Sequence, residues 1–154
     1  MDQAAEAGLV IAQAASSVGA SCTIEAFNSG GFIRAGDVAS KRKPDVESFA
    51  RMALGAGGGT PLSENLARAG LAQAARASHK RRVLFVITDG DCDHGHETVK
   101  VTADYLAKTY GTVLAHVSIV TPLRGAFKAE VQIKPGQQIT DVGLESFVRV
   151  LQAL

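Results

Sequence analysis

The spacing of apolar residues divides the chain into alternating helix and strand segments. Ala7, Val10, Ile11, Ala14, Ala15 and Val18 recur at helical period and predict a helix over 2–18, ended by Gly19. Cys22–Phe27 reads as a short strand, Asn28–Gly31 as a turn and Phe32–Val38 as an antiparallel return strand. Pro44 opens a helix over 44–53. A helix capped by Thr60, with Pro61 in its first position, runs to Ala77 and carries Ala67, Gly70, Leu71, Ala74 and Ala75 on one face. Val83–Thr88 is a continuous apolar run, the pattern of a parallel strand buried on both faces. Thr98–Tyr110 returns to helical period, and Thr112–Ile119 reads as a second buried strand. Ala129–Ile133 alternates strictly, as a half-buried strand near the sheet edge does. Leu144, Phe147, Val148 and Leu151 mark a closing helix.

Strands alternating with helices predict an α/β fold, a three-layer Rossmann-like sandwich around a mostly parallel sheet. Residues 1–154 read as a single domain, without repeats or low-complexity tracts. In such sheets ligands bind beyond the carboxyl ends of the strands. Two polar loops fall there: Gly55–Thr60 before a helix, and Thr88–His96 after the strand expected to be central.

Composition narrows the partners. Sixteen basic residues against fifteen acidic ones leave a net charge of +1, so no bulk field favours nucleic acid or an anionic membrane. Hydrophobic residues at 46% exclude a wholly disordered chain, and aromatic residues at 5% with no Trp argue against a base-stacking platform. Cys22 and Cys92 are too few for a disulfide framework and read as free thiols. Neither a signal peptide nor an apolar run of membrane-spanning length is visible, so a cytoplasmic protein is expected.

Neither loop carries a complete signature for a phosphate, calcium or zinc site. Gly55-Ala-Gly-Gly-Gly59 leads into Thr60 without the Lys of a phosphate-binding P-loop, and a helix, not a strand, precedes it. Asp89, Asp91 and Asp93 have the first three spacings of an EF-hand loop, but His94 stands where its glycine belongs and Lys100 where its final Glu belongs. Cys92, His94 and His96 are zinc-ligand types at a spacing that closed zinc sites do not use. His116 reads as a core residue of its strand and His79 as solvent-exposed.

Gly58-Gly-Thr-Pro-Leu62 and Val86-Ile-Thr-Asp-Gly90 together resemble two of the three metal-site motifs of the von Willebrand factor A (VWA) domain. The likeness extends over essentially the whole chain. It implies a divalent cation, usually Mg²⁺, held at the top of the sheet, with Thr60 as a direct ligand and Asp89 acting through water. Gly59, Gly90 and Asp91 would support them, and a partner protein's acidic residue would complete the shell. Thr60 as a helix cap and Asp89 as a turn residue remain the plain alternative. The family's first motif, Asp-x-Ser-x-Ser, occurs nowhere in the chain. The expectation is therefore a domain truncated at its N-terminus that lacks the first central strand and binds Mg²⁺ weakly or not at all. The strands on either side of the missing one are expected to close up, or to accept a segment of another chain and self-associate.

Within the family the loops are most similar to those of intracellular bacterial and phage members. One such member is the A domain of the aerobic cobaltochelatase subunit that works with an AAA+ ATPase. This implies a non-enzymatic protein–protein interaction module with an AAA+ ATPase as partner. Two other readings stand beside it: a small metal-dependent hydrolase using Asp89, Asp91, Asp93 and the loop histidines, and a structural domain without a working site.

Overall fold

A computed structural model describes residues 2–38, 58–76, 81–89, 91–123, 125–134 and 136–153. The elements run α1 (Asp2–Ser17), β1 (Cys22–Asn28), β2 (Gly31–Val38), α2 (Leu62–Ala75), β3 (Arg82–Thr88), α3 (His96–Tyr110), β4 (Thr112–Ser118), β5 (Ala129–Gln132) and α4 (Ile139–Ala153). The chain is thus α/β, with helices on both faces of a parallel sheet of order β3-β4-β5. The helix expected over 44–53 lies outside the described residues.

Leu84↔Leu114 and Val86↔His116 pair across β3 and β4, and His116↔Glu130 across β4 and β5. Side chains alternate across a strand, so each register fixes which helix layer a residue meets. Leu84, Val86 and Leu114 join Leu62 and Leu66 of α2 and Val99, Ala103 and Leu106 of α3 in one core. Phe85, Ile87, Val117 and Val131 join Ile11 of α1 and Val142 of α4 in the other. Gly70 lets α2 approach α3 closely, since a Cβ there would lie 2.5 Å from Leu106 Cδ2. Gly111, in a left-handed conformation at φ 65°, ends α3 by donating its N–H to the Ala107 carbonyl at 3.0 Å.

Several faces differ from the expected ones by part of a turn. Ala12 is buried and Val18 is 60% exposed, so the α1 stripe is Ala7, Ile11, Ala12 and Ala15. On α2 the buried residues are Leu62, Ser63, Leu66 and Gly70, while Leu71 is exposed. On α4 Val142 and Val150 are buried, and Leu144 and Val148 face out. Ala-rich and Val-rich helices have apolar residues on more than one face, so periodicity alone leaves their orientation loose.

The main correction concerns the sheet. β1 and β2 form an antiparallel hairpin of their own, with a register shift between Ile24 and Glu25, and β1 does not pair with β3. Closure of the two strands, expected above, does not occur among the described residues. The helices hold the strands in place instead. α1 packs on both β1 and β3. From α2, Arg68 Nη2 reaches Glu25 Oε2 at 2.8 Å, and Arg76 Nη1 donates to Thr23 Oγ1 at 2.8 Å. Gln73 Nε2, also on α2, donates to the Val83 carbonyl of β3 at 2.9 Å. A side chain thus satisfies a backbone acceptor of β3 that no strand reaches among the described residues. Among the described residues no helix is long and apolar enough to cross a membrane.

Candidate functional site

Three loops meet at the carboxyl end of β3. The first is the β1–β2 turn, whose Ser29 N–H donates to the Gly59 carbonyl at 3.1 Å while Ser29 Oγ accepts the Gly59 N–H at 3.1 Å. The second is Gly58–Pro61, and the third is the stretch from Asp89 to Gly95. Asp93 joins the second loop to the third: its Oδ1 accepts the Thr60 N–H at 2.8 Å, and its own N–H donates to the Thr60 carbonyl at 3.1 Å. His94 Nε2 adds a solvent-exposed contact of 2.9 Å to Glu64 Oε1 in the first turn of α2.

Glycine is required at two of these positions. Gly58 sits at φ +86°, a conformation that disfavours any Cβ. At Gly59 a Cβ would lie 2.5 Å from Asp93 Oδ2, so a side chain there would displace the carboxylate that holds Thr60. Thr60 itself is not the helix cap expected from its sequence position. α2 starts at Leu62 after Pro61, whose ψ of 66° is not helical, and no side chain caps it. The backbone of Thr60 is occupied by Asp93, which leaves it outside the helix.

Asp89 follows the last residue of β3 and is exposed. Its carbonyl accepts the Thr121 N–H at 2.9 Å, and its Oδ1 accepts the Asp91 N–H at 3.3 Å, a local turn bond typical of Asp. Asp89 and Asp91 line an open hollow of about 340 Å³ together with His96, Val120 and Thr121. The structure thus brings Asp89 beside Asp91, and Thr60 and Gly59 beside Asp93. Gly90 lies outside the described residues.

The oxygen donors of this region are of the hard type that Mg²⁺ prefers, and two of the carboxylates already accept backbone bonds. One oxygen of Asp93 is spent on the Thr60 N–H, and one of Asp89 on Asp91. Among the described residues no group of three or more His, Cys, Asp and Glu side chains is placed to hold a metal ion. Cys92, His94 and His96 likewise form no ligand cluster, and Cys22 and Cys92 are free thiols. Burial pushes the Cys92 thiol up, opposed by a hydrogen bond from the Gly95 backbone and reinforced by the charges of Asp91 and Asp93, so the thiol stays protonated.

Beneath the site lies a buried polar chain. His116, fully buried on β4, shares a 2.7 Å hydrogen bond between Nδ1 and Glu130 Oε1 on β5, and a 3.0 Å one between Nε2 and Thr88 Oγ1 on β3. Burial holds the imidazole below its ordinary pKa, against the opposing pull of Glu130, and the charge of His96 adds to the lowering. A His in an apolar strand marks a core residue, but its partners come from two other strands and only the register reveals them. The tie from Asp93 to Thr60 had one signal in sequence, the glycine at 59. The contribution of Ser29 had none.

No family model matches the chain, and no curated protein sequence is similar to it.

Proposed function

We propose that the chain is a non-enzymatic protein–protein interaction module of VWA type. It docks its partner at the loop end of the parallel sheet, as an accessory to an AAA+ ATPase. The observation that carries this reading is the convergence of the Gly58–Thr60 loop and the Asp89–Asp93 loop, joined by the paired hydrogen bonds between Thr60 and Asp93. Asp89, an exposed carboxylate at the end of β3, lines the open hollow and is held by its own bonds from the Thr121 and Asp91 N–H groups. A surface of this kind is pre-organised, which lowers the ordering cost of binding. Asp89 is the contact residue, with Asp91 beside it in the hollow and Thr60 and Gly59 on the loop joined through Asp93. The VWA resemblance assigns Mg²⁺ as the bridge to an acidic residue of the partner. Two ligands from separate loops cannot replace most of the waters of Mg²⁺, so weak or no binding by this chain is the expectation.

The test is affinity capture from a lysate of the source cells with the wild-type chain and Asp89→Ala, each with Mg²⁺ and with chelator. An AAA+ ATPase, identified by mass spectrometry, is retained by the wild type and lost by the variant. Equal retention of the same proteins by both contradicts the reading. Calorimetric titration of Mg²⁺ into the chain alone gives weak or no binding, and micromolar affinity would overturn that part.

Self-association is a second reading, favoured by the outer edge of β3, which no strand covers among the described residues. Sedimentation at rising concentration distinguishes a dimer from a strict monomer.

A further inference from the structure

Thr88, His116 and Glu130 cross the sheet in one line, from β3 through β4 to β5. A carboxylate only accepts, so His116 Nδ1 carries the hydrogen shared with Glu130 Oε1. In the neutral ring Nε2 is then an acceptor, and the Thr88 hydroxyl donates to it across 3.0 Å. The ring is fixed from above by Phe127, stacked at 5.2 Å between centroids. Thr88 is the last residue of β3. Its carbonyl accepts the Ile119 N–H at 2.8 Å, and the next carbonyl, that of Asp89, accepts the Thr121 N–H at 2.9 Å. Thr121 and Asp89 both line the hollow. The polar chain therefore ends one residue from the proposed docking loop.

We propose that proton uptake by His116 is transmitted through Thr88 to the Asp89 loop, making the mouth of the hollow sensitive to pH. Protonation places a hydrogen on Nε2, so the Thr88 hydroxyl can no longer donate there. It must turn a lone pair to the ring and redirect its own hydrogen, at the residue where β3 passes into the loop. Among the described residues, the groups acting on the imidazole are Glu130 from β5, Thr88 from β3, Phe127 from the segment before β5, and the charge of His96 at the start of α3. Glu130 favours the imidazolium, while burial and His96 oppose it. The coupling does not depend on what Asp89 binds.

The test is a two-dimensional NMR titration of the intact chain from about pH 8 to about pH 5, which brackets the ordinary histidine range. It follows the His116 ring nitrogens and the amides of Asp89 and Thr121. The expected result is a His116 midpoint below about 6.5 and the same midpoint in both amides. The shared step persists in His96→Ala. In Thr88→Val, which keeps the branched shape and removes the hydroxyl, His116 still titrates, but the step in the two amides falls by more than half. In His116→Gln the step disappears. The inference is overturned if the amides follow His96 instead, if Thr88→Val leaves their step intact, or if His116 stays neutral to the end of the titration.

Discussion

β3 and β4 are adjacent parallel strands of equal length, yet their burial runs against their sequences. β3, Arg82-Val-Leu-Phe-Val-Ile-Thr88, is the more apolar, but only Val86 and Thr88 are buried. β4 carries Thr112, His116 and Ser118, and every residue except Val113 is buried. The difference lies in the neighbours. β4 is paired on both sides, whereas β3, expected to be the central strand, has β4 on one side and, among the described residues, no strand on the other. Thr88 turns its carbonyl to β4, and groups alternate along a parallel strand, so Val83, Phe85 and Ile87 direct theirs to the open side. Gln73 of α2 meets the Val83 carbonyl there. Apolar content sets what a strand can bury, and sheet position sets what it does bury.

The comparison can be broken by truncating two leucines that face each other across the register, Leu84 and Leu114. Leu114 is 4% exposed, and Leu114→Ala is expected to cost about 3 kcal/mol. Leu84, on the half-buried strand, is expected to cost about half as much on truncation. Denaturant melts measure both, and equal losses would mean that the open edge leaves β3 as well packed as β4.

The loop end gives the next largest effect. Gly59→Ala drives a Cβ against Asp93 and breaks its bond to the Thr60 N–H, at an expected cost of about 1–2 kcal/mol. Asp93→Ala should cost less, because it removes the same bond without the clash. The two melts together separate strain from lost hydrogen bonding.

A third effect arises from the buried histidine of β4. The folded chain holds His116 below its ordinary pKa, so on acidification the unfolded chain takes up that proton first. The stability tied to this site is fully present above about pH 6.5 and is lost as pH falls toward the folded-state value. The melting temperature should drop between about pH 7.5 and about pH 5.5, and His116→Gln should flatten part of that slope. An unchanged slope would mean that His116 titrates alike in both states.

Arg68→Ala gives the smallest effect. The Arg68–Glu25 pair is partly exposed, and its loss is expected to cost about 0.5 kcal/mol in a melt at low salt, less at high salt. A much larger loss would show that this pair is a main support of the β1–β2 hairpin.

Most of the fold was legible from periodicity. The continuous apolar run of β3 and the strict alternation of β5 each led to the right kind of element, because pleat and burial impose their period directly on the residues. What the sequence hid was pairing. An apolar run shows that both faces of β3 can be covered by helices, but carries no mark of whether both edges are. Of the candidate site, Gly59 and Asp89 were legible as turn residues, whereas Thr60, read as a cap, lies outside the helix. The bonding of Asp93 to the backbone of Thr60 was not legible, because that contact spans the whole of α2 and β3. The Thr88–His116–Glu130 chain was hidden for the same reason: it exists only once three strands are in register.

β3 combines an edge that is open among the described residues with a loop end held by cross-loop hydrogen bonds, and native-state hydrogen exchange reads both at once. The amides of Thr60, Asp93 and Thr121 donate across loops and should be protected. Those of Phe85 and Ile87, turned to the open side, should exchange orders of magnitude faster than the Val86 and Thr88 amides directed at β4. Protection of Phe85 and Ile87 equal to that of Val86, with rapid exchange at Thr60 and Asp93, would contradict the account at both ends of the strand.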